Sequence, residues 1–280
     1  MGRISFPSEE EQFDLYRKIC EKMDGKEVVI RTLDFGGDKL LPGHPQEKNP
    51  FLGYRSTRIF LDETDLFEVQ LRAILRASAF GRVKVLFPLI STMDEVRKVK
   101  AHWEKVKHEL RGGNERFDDS IPLGIMIEVP SVAIMADRIV REVDFVSIGT
   151  NDLVQYTLAV DRDNELVSRY YQSLHPAVIW LIHHVVDAAK QAGKAVSICG
   201  EISGDPFYTA LLVGLGLREF SVNPLSVLKI KGAVRSISST EAQAIAETAL
   251  ALSTAEEVQE VLRSKKPPDY WMMGHTENYS

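Results

Sequence analysis

The stretch VDFVSIGTNDL, residues 143–153, decides how this sequence is read. Residues 143–150 form a short run rich in Val, Ile and Phe that alternates little between apolar and polar. A parallel strand covered on both faces has that character. Asn151 and Asp152 follow at once. Gly149 stands before a helix start, where Asn151 is a fitting N-cap. A strand, a polar rim and a helix in succession form the repeating unit of a parallel α/β protein.

Working outward, six more runs share this character: EVVIRTLDFGG (27–37), YRSTRIFL (54–61), VKVLFPLI (83–90), LGIMIEVP (123–130), AVSICGE (195–201) and EFSVNP (219–224). Helical patterns lie between them. In HPAVIWLIHHVVDAAKQAG (175–193), Val178, Leu181, Ile182, Val185, Val186 and Ala189 recur at spacings of three and four. Pro176 opens that helix and Gly193 closes it. TMDEVRKVKAHWEKVKHEL (92–110) begins with Thr92 and has Glu95 three residues on, a capping box. Alternation over 280 residues fits a (β/α)8 barrel in a single domain, which takes roughly 250 residues. Seven strands are placed and an eighth is not, so a doubly wound sheet stays open on pattern alone.

Composition bounds the function. The net charge is −6 and 44% of residues are hydrophobic. Mild acidity argues against a nucleic-acid surface or a basic membrane patch. No apolar run approaches the roughly 20 residues of a membrane span. Cys20 and Cys199 cannot form a disulfide framework, so a reducing, cytoplasmic setting is expected.

Unusual polar residues gather where the runs end. Arg31, Glu128, Asn151, Asp152, Cys199 and Asn223 all sit at or just past a C-terminal end, while Arg55 sits at the start of its run. In a parallel barrel those ends form the face that carries active sites. Any one such residue alone would read as a satisfied loop group. Glu128 reads either as a cap of the helix starting near Ser131 or as a hard-cation ligand. With Asp152 it makes a two-carboxylate set suited to Mg²⁺, which completes its shell with waters and substrate oxygens. None of the seven histidines has zinc-ligand spacing, and His183 and His184 read as surface or packing residues. Arg31, Arg55 and Arg162 offer guanidinium forks for phosphate or carboxylate oxygens. FGGDK (35–39) supplies glycines that let the backbone bend near a ligand. Cys199 taken alone reads as a small buried hydrophobe.

These motifs together carry a resemblance. RTLDFGGDK, NPFLGYRSTR, RAILRASAFG, GIMIEVPS, SIGTNDLVQYTLAVDRDN, LHPAV and ICGEISGDP resemble, in order, the C-terminal half of Enzyme I of the bacterial phosphotransferase system, a phosphoenolpyruvate–protein phosphotransferase. Nearly the whole chain is covered. The resemblance implies a homodimeric (β/α)8 barrel, including the missing eighth strand, that binds phosphoenolpyruvate and Mg²⁺. It implies Arg31 and Arg55 on the phosphate, Arg162 holding the substrate, and Asn151 and Asp152 meeting it through their backbone. It further implies Glu128 and Asp152 as Mg²⁺ ligands and Cys199 as the acid that protonates the enol carbon. The leaving enolate must gain that proton, so an acid rather than a nucleophile is required.

Departures are confined to FSVNP (220–224) at the rim and to the tail. The domain reading is a residual linker and first helix at 1–20, the barrel at 21–262 and a tail at 263–280. The family transfers phosphate to a histidine on an N-terminal domain and then to a phosphocarrier protein. No histidine here has the Gly-Gly-x-x-Ser-His context of that acceptor. The chain is therefore expected to be a fragment of such an enzyme, in its sugar or nitrogen-related branch. Two alternatives remain: a stand-alone phosphoenolpyruvate-binding and dimerisation module without turnover, or part of a dikinase such as pyruvate phosphate dikinase.

Overall fold

The computed structural model describes residues 6–36 and 47–264. The chain divides into two compact units, residues 1–126 with 142–145, and residues 127–141 with 146–280. Gly37, Asp38 and Lys39 of the glycine motif, and the expected tail beyond Ser264, lie outside the described residues.

The first unit starts with α1 (Glu9–Lys22), where Ser8 and Glu11 close a capping box. Three strands follow in chain order: β1 (Val28–Arg31), β2 (Val83–Phe87) and β3 (Leu123–Ile127). They pair in parallel, Val28 opposite Val83 and Val85 opposite Leu123. Between β1 and β2 lie α2 (Thr57–Asp62) and α3 (Thr64–Ala77), and α4 (Met93–Gly112) links β2 to β3. The capping box expected at Thr92 and Glu95 is formed. Leu71, Ala73, Ile74 and Leu75 of α3 are fully buried. Phe67 stacks on Phe60 at 5.5 Å and meets Phe87 edge-on at 5.8 Å, which packs the two helices onto β2.

One expected strand is a helix. Residues 54–61 do not extend: Arg55 makes a single bridge to Gly36, Ser56 turns the chain at φ 54°, and α2 begins at Thr57. The Thr57 hydroxyl is held by the carbonyl of Pro88. Adjacent Ile59 and Phe60 are both buried on the helix. A short run rich in Ile, Phe and Thr fits a strand or a buried helical turn equally well by composition.

The second unit has α5 (Pro130–Ile134) and α6 (Ala136–Ile139), then β4 (Phe145–Gly149), whose first residue still belongs to the first unit. There follow α7 (Thr150–Leu158), α8 (Pro176–Gln191), β5 (Ala195–Cys199), α9 (Pro206–Gly214) and β6 (Glu219–Phe220). α10 (Val227–Ser236), α11 (Ser239–Leu250) and α12 (Ala255–Ser264) complete it. β5 and β6 are parallel, Ser197 opposite Glu219. α8 buries the apolar stripe expected of it, and Gly193 turns the chain at φ 67° just beyond its end. The protein is a parallel α/β protein with six strands among the described residues. No helix among them is long and apolar enough to cross a membrane.

Candidate functional site

The second unit brings together Asn151, Asp152, Arg162 and Cys199 where β4 and β5 end. β4 passes directly into α7 with Gly149 as N-cap, so Asn151 and Asp152 lie in the first turn of the helix. Asn151 is not the N-cap that its sequence position indicates. Its Oδ1 instead accepts the N–H of Glu201 at 2.9 Å. Next to it, Thr150 donates from Oγ1 to the carbonyl oxygen of Cys199 at 2.8 Å. Two consecutive α7 side chains thus clasp the Cys199–Glu201 segment. Gly200 lies between them at φ 100°, and a Cβ there would collide with Thr150 Oγ1 and reach within 2.7 Å of Asn151 Oδ1. Only glycine permits this close approach.

The Cys199 thiol faces β4. Its Sγ donates to the carbonyl oxygen of Ile148 at 3.4 Å and accepts from Ser147 Oγ at 3.8 Å. Ser147 is 4% exposed. Cys199 is half-buried, and it ends β5. A thiol with one acceptor and one donor in fixed places is oriented, which a small buried hydrophobe does not need. Ser147 carries no motif in the sequence, although it is the one hydroxyl within β4.

Asp152 is buried in the positive field of the α7 N-terminus, where a carboxylate is favoured. Arg162 reaches it from the next loop, Nη1 to Oδ1 at 3.2 Å. Tyr171 donates from its hydroxyl to the main-chain oxygen of Asn151 at 3.1 Å. Burial pushes the Tyr171 phenol up to about 12, with the negative charge of Glu201 adding to it and Arg162 opposing. It therefore remains a donor across the physiological range. Tyr171 lies after a short 3-10 turn, with no periodic signal in the sequence to mark it.

Glu128 is buried just past the end of β3, one residue ahead of Val129, the N-cap position of α5, which starts at Pro130. Among the described residues no group of three or more His, Cys, Asp or Glu side chains is placed to hold a metal. Two buried carboxylates, Glu128 and Asp152, are nonetheless a donor set that fits Mg²⁺, because that ion takes one or two carboxylates. Asn223, also at a strand end, has an ordinary structural role: its Oδ1 caps the Pro224–Ser226 turn by accepting the N–H of Leu225 at 3.0 Å.

Arg31 and Arg55 belong to the first unit. Arg31 ends β1, is exposed, and makes no ion pair with another described residue. Arg55 is buried and forks onto Asp34, Nη2 to Oδ2 at 2.9 Å and Nε to Oδ1 at 3.4 Å. Its guanidinium also lies 5.7 Å from the ring centre of Phe51. Gly36, at φ 89°, lets its backbone lie against Tyr54 and Arg55. One segment, Thr32–Gly36, therefore runs from Arg31 to Arg55.

Comparison with known proteins identifies the family. A family model described as "PEP-utilising enzyme, PEP-binding domain" matches residues 1–239. A phosphoenolpyruvate-protein phosphotransferase from Geobacillus stearothermophilus is 50% identical over 260 residues, covering 92% of this chain and 45% of that protein. Proteins of the same name from Bacillus subtilis (strain 168) and Haemophilus influenzae are each 48% identical, covering 92% and 94% of this chain and 46% of theirs. The chain thus spans a little under half the length of these curated relatives. Among solved structures, a citrate lyase from Burkholderia xenovorans LB400 is 18% identical with a TM-score of 0.45, covering 71% of this chain and 67% of its own. The chain belongs to the PEP-utilising enzymes and corresponds to their PEP-binding domain.

Proposed function

We propose that this chain binds phosphoenolpyruvate and Mg²⁺. In a longer phosphoenolpyruvate–protein phosphotransferase it would pass the phosphoryl group to a histidine on an N-terminal domain, and so to a phosphocarrier protein. The match of the PEP-binding domain over residues 1–239 carries this reading. The Arg162–Asp152 pair and the oriented Cys199 support it from the chemistry.

Phosphoryl transfer depends on positioning and on neutralising charge at the phosphoryl oxygens. Arg31 and Arg55 are proposed to take the phosphate, and Arg162, with the Asn151–Asp152 backbone, to hold the substrate. Mg²⁺ held by Glu128 and Asp152 would neutralise charge on the substrate oxygens. When the acceptor nitrogen bonds to phosphorus, the bond from phosphorus to the enol oxygen breaks and the enolate of pyruvate remains. The Cys199 Sγ–H then gives its proton to the methylene carbon, forming the pyruvate methyl group. The resulting thiolate accepts the Ser147 hydroxyl until solvent returns the proton. We further propose a homodimeric (β/α)8 barrel as the fold of the functional protein and the cytoplasm as its compartment.

Calorimetric titration with phosphoenolpyruvate, with and without Mg²⁺, tests the binding reading; no heat of binding in either condition refutes it. Cys199→Ala separates the steps. Binding is retained, and incorporation of solvent deuterium into pyruvate by the full-length protein falls by about 10²-fold or more, the usual contribution of a general acid. Unchanged incorporation removes Cys199 from the mechanism.

A further inference from the structure

We propose that Gln155 is the positioning residue that sets Arg162 for substrate, an inference that rests on the phosphoenolpyruvate reading above. α7 ends at Leu158, and Ala159 turns the chain with a left-handed backbone, φ 55°. Three donors from this turn converge on one residue. The N–H groups of Ala159 and Val160 both donate to the Gln155 main-chain oxygen, the latter at 3.0 Å. The Arg162 N–H donates to Gln155 Oε1 at 3.1 Å. The amide side chain thereby fixes the backbone from which the Arg162 guanidinium returns to Asp152 at 3.2 Å.

Asp152 and Gln155 are three residues apart on α7, so they lie on one face of the helix. Each holds a different end of Arg162: the carboxylate takes the guanidinium and the amide takes the main chain. Both are buried, at 5% and 4% exposure. An arginine on a loop would otherwise sample many directions, and binding and catalysis fall steeply with small misplacements of such a group.

A further observation separates this from simple packing. Gln155 Nε2 is buried and has no hydrogen-bond partner among the described residues. A buried unpaired donor is costly, and a methionine or leucine would fill similar space without it. The residue keeps its amide for the sake of the acceptor end, which the Arg162 N–H uses.

The test is calorimetry with phosphoenolpyruvate and Mg²⁺ on the wild-type chain, Gln155→Met, Arg162→Ala and the double variant. Removing a charge-assisted contact to the substrate should make Arg162→Ala at least about tenfold weaker. Gln155→Met should be about three- to tenfold weaker while Arg162 is present. The double variant should bind within about twofold of Arg162→Ala alone, because residues acting through one another are non-additive. Exchange of the Arg162 amide hydrogen should be at least about tenfold faster in Gln155→Met, since the Gln155 Oε1 acceptor is gone. Additive losses in the double variant, or full affinity in Gln155→Met beside a weakened Arg162→Ala, overturn the positioning role and leave the binding reading intact. Failure of the wild-type chain to bind overturns both. If Gln155→Met does not fold, Gln155→Asn, whose amide is too short to reach the Arg162 N–H, takes its place with the same expected outcomes.

Discussion

Gly200→Ala should unfold the second unit's site at its tightest point. Gly200 has φ 100° and ψ −177°, a region open essentially to glycine alone. Holding alanine there costs about 1–3 kcal/mol. The new methyl would also collide with Thr150 Oγ1 and come within 2.7 Å of Asn151 Oδ1. Those atoms cannot retreat freely, since Thr150 is 1% exposed and each already makes one hydrogen bond to the Cys199–Glu201 segment. Breaking the two bonds adds about 1 kcal/mol each. The total is roughly 3–5 kcal/mol once partial relaxation is allowed. For a unit of this size that corresponds to a fall of about 10 °C in melting temperature. Differential scanning calorimetry measures it, with urea unfolding as a check on the free energy. An alanine variant within about 1 kcal/mol of wild type would refute the clasp, because that is no more than the median cost of an unremarkable substitution. The same variant should weaken the alignment of Cys199 with Ser147, so deuterium incorporation should fall even in the fraction that remains folded.

Two titrating groups give further expectations. Glu68 is buried in the first unit, with Lys105 Nζ 2.8 Å from both carboxylate oxygens and His102 Nδ1 3.0 Å from Oε1. Burial raises its pKa, but the bonds from Lys105 and His102 outweigh burial and hold it below the ordinary value of 4.5. A carboxylate depressed on folding contributes stability above its unfolded pKa and loses it as pH falls through the folded one. Glu68→Gln should therefore flatten the acid limb of the stability curve below about pH 4.5 and be less stable at pH 7; an acid limb identical to wild type would contradict this. Tyr171 is the opposite case, with a phenol raised from 10.0 to about 12. Its contribution is complete below pH 10 and is lost as pH climbs towards 12. Tyr171→Phe should cost about 1 kcal/mol at neutral pH through the lost bond to Asn151, and its stability should fall less than wild type between pH 10 and 12. A parallel alkaline decline in both proteins would show that Tyr171 titrates normally.

The sequence made the fold legible where local and global signals agreed. β3 is an unbroken apolar run, and β2 and β4 are interrupted only by Lys84 and Ser147; a parallel strand covered on both faces leaves that trace. The run 54–61 misled because its apolar residues are too few to show a period. What settles the matter is the backbone reversal at Ser56, a tertiary event enforced by the Gly36 bridge and the Pro88 carbonyl. The proposed site residues divide in the same way. Asp152 and Cys199 stand out because charged or thiol groups at strand ends are conspicuous, and Arg162 because a guanidinium suits an anionic ligand. Tyr171 and Gln155 do not, because each acts on main-chain atoms twenty and seven residues away. Such a bond leaves no spacing rule in the sequence.

The proposed substrate arginine of the second unit stands on a loop. A loop arginine is a poor ligand for a small dianion unless its freedom is removed before binding, since any ordering left until then weakens the affinity. Here both ends of Arg162 are held by α7, the guanidinium by Asp152 and the main chain by Gln155. The first turn of the same helix clasps the segment that carries Cys199, through Thr150 and Asn151. One nine-residue helix therefore fixes the proposed substrate arginine, one proposed Mg²⁺ ligand and the backbone around the proposed acid. A disturbance at its N-terminus should move all three together. Substrate affinity and proton transfer should consequently fail in step in Gly200→Ala, whereas Cys199→Ala should lose proton transfer alone.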